Sequence, residues 1–190
     1  MAGKPLGRRR MTAAERMRRY RQRRKPRLVF ACGAGPLALC RLLIEQNHYR
    51  HSWPSGPVYA YAYESAIVVF SLPPNPYLAK SFSLRNGRVW QLARLWAPNG
   101  HRPNLLTEAI AFAVRAFHRL ELADLLISYA DPSAGHDGHI YRAASWTALS
   151  KSKEIRGNRH KPGNGDSGGK LRFARALTRQ GKKMLWASTG

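Results

Sequence analysis

Between residues 28 and 150 apolar side chains come in short blocks, each closed by a turn signal. "LVFAC" (residues 28–32) reads as a strand, and "GAGPLALCRLLIEQ" as a turn followed by a helix with Pro36 in its first turn. "VYAYAYE" and "AIVVFSL" are rich in β-formers and meet at Glu64 and Ser65, which predicts a hairpin. The Pro-rich loop "PPNPY" and the turn "RNGR" precede a third long strand, "VWQLARLWA". After the break "PNGHRPN", a helix is expected from Leu105 to about Arg119, with Asn104 as its N-cap. "ADLLISYAD" predicts another strand, "GHIYRAAS" a short helix and "WTALS" a final strand. The resulting order, β-α-β-β-β-α-β-α-β, describes an α/β domain with an antiparallel front half and a β-α-β crossover behind it.

Charge divides the chain differently. Of the overall +23, residues 1–27 carry 12 basic and 1 acidic side chains, residues 28–150 carry 10 and 7, and residues 151–190 carry 11 and 2. A nearly neutral middle with basic ends predicts a folded domain, 28–150, between a basic N-terminal arm, 1–27, and a basic C-terminal linker and tail, 151–190. In the arm, Thr12 and Glu15 have capping-box spacing and Pro26 stops the helix they open. Arg8, Arg9, Arg10, Arg18, Arg19, Arg23 and Arg24 are its candidate phosphate contacts, which makes double-stranded DNA the expected partner. A solvated or localisation-type tail, and a mitochondrial transit peptide, are the competing readings of the arm. An acidic membrane surface is the rival polyanion, but the longest apolar run, "LVFACGAGPLALC", is broken by two glycines and a proline and falls short of a spanning helix. "LRFARALTRQGKKMLW" reads as a last basic amphipathic element. Cys32 and Cys40 sit in apolar company, which predicts buried thiols in a reducing cytoplasm.

Titratable chemistry concentrates in "ISYADPSAGHDGHIYRAASW" (residues 127–146). Asp131 follows a strand at the carboxyl end where open α/β sheets place ligand sites. With Tyr141 it can hold an amine between an acceptor and a proton-shuttling hydroxyl; equally, it can cap the turn at Pro132. His48 and Tyr49 follow the first helix as a candidate general base and partner, as metal ligands if His136 or Asp131 approaches, or as a plain helix terminus facing the dipole. His136 and His139 have no established metal spacing, so no metal ligand is assigned. "CGAGP" lacks the remainder of a dinucleotide fingerprint, and "PPNPY" lacks the second proline of the adenine methyltransferase signature; the latter is expected as a loop lining a site.

The element order is similar to the GNAT acetyltransferase superfold, in which a splayed pair of parallel strands opens a cleft for coenzyme A. "NHYRHSWP", "LARLWAPNGHRPNLLTEAIAFAVR" and "LISYADPSAGHDGHIYRAASW" together resemble the Mom family of phage DNA-modification proteins over roughly residues 28–150. That resemblance implies a GNAT-like fold and conversion of adenine N6 in DNA to N6-carbamoylmethyladenine, which protects DNA against restriction enzymes in the cytoplasm of a phage or prophage host. It places His48, Tyr49, Asp131 and Tyr141 at the reaction site, and Arg94, Asn104 and Thr107 where a coenzyme A-type donor (acetyl-CoA or another acyl donor) would lie. Iron enters by the same resemblance, with no ligands named. "NGHRPN" departs from the Gln/Arg-x-x-Gly-x-Gly/Ala phosphate loop of ordinary acetyltransferases. Two other functions are expected to compete: an N-acetyltransferase acting on a small amine or protein, and a non-catalytic DNA-binding accessory protein.

Overall fold

The computed structural model describes residues 12, 15, 34–149 and 169–188. The chain forms helix α1 (Ala34–Asn47), strands β1 (Val58–Tyr63) and β2 (Ala66–Ser71), helix α2 (Leu78–Ser81), β3 (Val89–Trp96), α3 (Leu105–His118), β4 (Leu125–Ala130), a 3₁₀ turn (Pro132–Ala134), α4 (His139–Ala143), β5 (Thr147–Ala148), β6 (Leu171–Ala176) and α5 (Arg179–Ala187). The expected strand at 28–32 and the seven arm arginines lie outside the described residues. The arm's capping box is formed: Glu15 N–H donates to Thr12 Oγ1 (3.2 Å) and Thr12 N–H to Glu15 Oε2 (2.8 Å).

The six strands make one sheet in the order β1-β2-β3-β4-β6-β5. The predicted hairpin is present, with Tyr63 opposite Ala66 at its tip. Alternation in "VYAYAY" decides its faces: Tyr59, Tyr61 and Tyr63 turn toward α3, while Val58 and Ala60 turn toward α1 with Ile67 and Val69. On the α3 face, Phe117 is fully buried with its ring 4.8 Å from Phe70, 5.2 Å from Trp90 and 5.4 Å from Tyr59. Truncating such a ring costs about 3–5 kcal/mol, so this cluster ties α3 to the sheet. On the opposite face α2 and α5 pack on Val89, Leu125, Ile127 and Ala174.

Two expectations need correction. Asn104 stands at the N-cap position, where its carbonyl accepts the first helical bond from Glu108 N–H (2.9 Å), but its side chain makes no cap hydrogen bond. Its φ of 63° is left-handed, whereas a capping side chain requires an extended backbone. Glu108 supplies the helix start with negative charge instead. The folded domain also does not stop at residue 150. "LRFARA" is a strand inserted between β4 and β5, so β5 is neither last in sequence nor paired to β4. Only the centre of β6 is buried, Phe173 toward the α3 face and Ala174 toward the α5 face, while the half-buried Arg172 and Arg175 give its sequence the look of a basic tail.

Candidate functional site

Among the described strands β3 and β4 are the one parallel pair, and they stay together for only three positions, Val89↔Leu125, Trp90↔Leu126 and Gln91↔Ile127. β3 then runs on to Trp96 and β4 to Ala130 without pairing to each other, so the strands splay. A bulge assists the bend: Val69 faces Arg94 while the next residue, Phe70, faces Leu92, leaving Ala93 as the extra residue of β3. Ser128 closes the vertex, its hydroxyl donating to the Leu92 carbonyl (3.1 Å). Beyond it the splay opens into a cleft of about 1070 Å³.

One wall comes from the turn after α1. His48 N–H still donates to Ile44 O (3.0 Å), after which a left-handed His51 reverses the chain. Arg94 anchors this segment from β3, donating from Nε to Ser52 O (2.8 Å) and from a terminal nitrogen to Ser52 Oγ (2.9 Å). His48 is buried, and Tyr49, half exposed, stacks on it with ring centroids 4.5 Å apart. His136 reaches across from the loop after β4 to within 5.1 Å of the Tyr49 ring.

The His48 imidazole is held neutral. Burial, then the positive charges of Arg94 and Arg50, push its pKa down to about 4. The Arg50 backbone N–H donates to its Nδ1 (3.1 Å), which leaves the single ring proton on Nε2. His48 therefore lines the cleft as a neutral imidazole whose Nδ1 is already engaged and whose N–H is on Nε2.

Tyr141 is buried on α4, its ring stacked on Phe173 of β6 (5.1 Å) and its hydroxyl against Ser128 at the vertex. Burial pushes its pKa up to about 12, so the phenol keeps its proton. α4 can start there because Gly138 has φ 77° and no side chain: a Cβ would lie 2.2 Å from the Phe173 ring.

Asp131 does something more local. Its carboxylate accepts from Ser133 N–H (3.2 Å) and from the Ser133 hydroxyl, capping the 3₁₀ turn, and Lys170 lies 3.2 Å from its other oxygen. These partners hold its pKa below the usual carboxylate range, with the Ser133 hydroxyl contributing most. Asp131 does not line the cleft; Ala130 and Tyr141, on either side of its turn, do. The turn cap that the sequence suggests is thus present in the geometry.

Of the residues expected near a donor, Arg94 lines the cleft, whereas Asn104 and Thr107 do not. The unpaired edge of β3 suits an extended, amide-bearing arm such as pantetheine. The start of α3 does not suit a diphosphate: Arg102 is held by Glu64 (2.9 Å) and Glu108 (2.9 Å), and Glu108 puts a carboxylate in the first turn. The cations that do line the cleft are Arg50, Arg94, Lys170 and Arg172, against Asp137 as the one acidic lining residue among those described. Among the described residues no three His, Cys, Asp or Glu side chains are grouped to hold a metal ion, so the donor set does not fit iron. The loop "PPNPY" does line the site, through Pro73, Pro74 and Asn75. Sequence reasoning gave no role to Ser128 or Arg172, and considered His136 only as a metal partner of His48; a lone serine inside the apolar run "LLISYA" was the available signal for Ser128.

The sheet with its splayed parallel pair is that of the GNAT acyltransferases. The fold is similar to that of Arabidopsis thaliana NAA60 in complex with acetyl-CoA (9% identity, TM-score 0.52, covering 77% of this chain and 96% of that one). It is also similar to that of aminoglycoside 6'-acetyltransferase type Ii (12% identity, TM-score 0.52, covering 80% and 98%). A third similar structure is spermidine N-acetyltransferase from Vibrio cholerae in complex with CoA and spermine (10%, 0.50, covering 80% and 95%). No curated protein matches the chain in sequence. Within that fold class the chain belongs to the Mom protein family, whose pattern it matches over residues 33–184. That span takes in β6 and most of α5. No helix among the described residues is long and apolar enough to cross a membrane.

Proposed function

We propose that the chain is a DNA-modification transferase that converts adenine N6 to N6-carbamoylmethyladenine and so shields DNA from restriction. The observation that carries this reading is the ring array at the cleft: Tyr49 half exposed, stacked on His48 and flanked by His136, opposite the buried Tyr141. An adenine cannot be reached inside a duplex, so it must leave the stack and find another aromatic face, which Tyr49 offers. The membership of the family and the basic cleft lining support DNA as substrate.

The exocyclic amine is a poor nucleophile because its lone pair is delocalised into the ring. In forming one N–C bond it must lose one N–H proton. The Ala130 carbonyl and the Tyr141 hydroxyl oxygen accept from the two N–H groups and draw electron density back onto nitrogen. Tyr141 keeps a proton throughout: its hydroxyl takes up the N6 proton as it passes its own to water, while the bond between the transferred carbon and the donor's leaving group breaks. Neutral His48 donates from Nε2 to the negative charge that develops on the donor's leaving group. Asp131 acts through its turn, fixing Ala130 and His136, and is a positioning residue. A coenzyme A-type donor, as bound by the Arabidopsis and Vibrio proteins, would be held by the β3 edge from Gln91 to Leu95 and would supply a methylene carbon whose bond to its leaving group breaks as the N6–C bond forms. The arm arginines Arg8, Arg9, Arg10, Arg18, Arg19, Arg23 and Arg24 contribute sequence-independent phosphate contacts.

Nucleoside mass spectrometry of DNA from cells expressing the chain tests this. A deoxyadenosine with an added carbamoylmethyl mass, absent with Tyr141→Phe, is the expected result. Unmodified DNA together with an acetylated small amine would assign the cleft to a conventional N-acetyltransferase.

A further inference from the structure

The last described segment, residues 169–188, holds six basic side chains and no acidic one. Their placement on α5 is ordered. Arg179, Lys182, Lys183 and Trp186 stand at i, i+3, i+4 and i+7, which is one face of a helix, and all four are exposed. Lys182 Nζ lies 5.5 Å from the centre of the Trp186 ring, so the aromatic end of the stripe is itself part of the cationic surface. The opposite face, Gly181, Met184 and Leu185, is turned into the sheet.

The helix is held rigidly against the sheet. Thr178 caps it, accepting from Gly181 N–H (3.1 Å), and donates its own hydroxyl to Asp124 (2.8 Å), which Arg88 grips with two further hydrogen bonds (2.8 and 2.9 Å). At Gly181 the backbones approach so closely that a Cβ would lie 2.0 Å from the Asp124 carbonyl oxygen. The stripe is therefore fixed on the sheet face that carries α2, and Leu78 and Tyr129 belong both to the cleft lining and to the cluster that seats α5.

We infer that α5 is a duplex-backbone-binding ridge that lays DNA across this face of the sheet, with Arg172 continuing the cationic track from α5 to the cleft. The inference rests on the reading of the site as a DNA-modifying one. Charge alone fits an anionic membrane as well, but an interfacial helix must turn its apolar side outward, and α5 turns Met184 and Leu185 inward. Phosphates spaced along a groove match a rigid row of cations; a lipid surface does not require one.

The test uses the full chain and the triple variant Arg179→Ala/Lys182→Ala/Lys183→Ala, with folding checked by thermal unfolding. Affinity is measured over a series of salt concentrations on a duplex of dG and dC only, so that no target adenine engages the cleft. At about 0.9 per phosphate contact, the slope of log K against log salt should become shallower by roughly 2 to 3 units. In parallel, the change in tryptophan emission on adding this duplex should shrink with Trp186→Phe. An unchanged slope, or an emission change that survives Trp186→Phe in full, overturns the ridge. Loss of binding to phosphatidylserine vesicles in the triple variant, with the DNA slope intact, overturns it in favour of a membrane. Adenine modification by the wild-type chain alongside an unchanged slope would sink the ridge and leave the proposed activity standing. No affinity of the wild-type chain for any duplex would sink both.

Discussion

Replacing His48 by Gln should flatten the acid side of the stability profile. In the folded chain burial and the Arg94 and Arg50 charges push the imidazole from its ordinary 6.5 down to about 4. A tenfold loss of proton affinity is worth about 1.4 kcal/mol, so the folded state forgoes on the order of 3 kcal/mol of protonation that the unfolded chain can take up. The folded pKa is the lower one. Stability is therefore complete above about pH 6.5, falls as pH drops from there, and has lost this contribution near pH 4. Glutamine has the same reach for the Arg50 N–H but does not titrate. Urea unfolding of both proteins at pH 7.5 and 4.5 isolates the effect from the carboxylates, which titrate in both. The wild type should lose roughly 2–3 kcal/mol more than the variant between those two pH values. Two-dimensional NMR of the seven histidines supplies the direct check. A His48 resonance titrating near 6.5, or parallel stability profiles, would refute the neutral, donor-only imidazole on which its role rests.

Other substitutions separate chemistry from scaffold. Tyr141→Phe removes one buried hydroxyl while Ser128 keeps its bond to Leu92, so unfolding should shift by only about 1 kcal/mol, yet modified deoxyadenosine should fall by about 100-fold or more; undiminished product would exclude the phenol from the reaction. Asp131→Asn keeps an oxygen for both Ser133 bonds and should retain most activity, whereas Asp131→Ala loses the turn cap at about 1 kcal/mol and much of the activity. Equal loss in both would show that the carboxylate itself touches substrate. Because that carboxylate's pKa is lowered, its contribution to stability is present above the unfolded carboxylate range and disappears as pH falls through the folded value. Gly138→Ala pushes a methyl into the Phe173 ring on a left-handed backbone and should cost about 2–4 kcal/mol by thermal unfolding; a cost below half a kcal/mol would mean that this wall of the cleft is not tightly packed.

Much of the sheet was legible because its blocks carry their own punctuation. "VYAYAY" alternates small and aromatic residues around a two-residue tip, and "LLTEAIAFAVRAFH" follows a Pro-Asn break, so local chemistry suffices for both. β6 was opaque for the opposite reason: its pairing partner, β4, is remote in the chain, and Arg172 and Arg175 gave it the composition of a tail. The site divided along the same line. His48, Tyr49, Asp131 and Tyr141 announced themselves as a concentration of polar groups beside apolar runs. Which of them faces the cleft depends on the vertex between β3 and β4, on the Arg50 N–H that fixes the imidazole tautomer, and on Lys170, none of which a linear pattern contains.

The position of β6 also bears on how the chain comes to be active. β4, the strand on which the cleft depends, keeps one bare edge until residues 171–176 arrive from far along the sequence, and Phe173 is the ring that backs Tyr141. Strand pairing at such separation is a slow, late step, and an uncovered edge beside an apolar strand invites pairing with other chains. On a ribosome, the nascent protein would therefore pass through a stage with α3 and the hairpin formed, an adhesive sheet margin, and no working reaction centre. Closure of that margin and the birth of the centre are the same event.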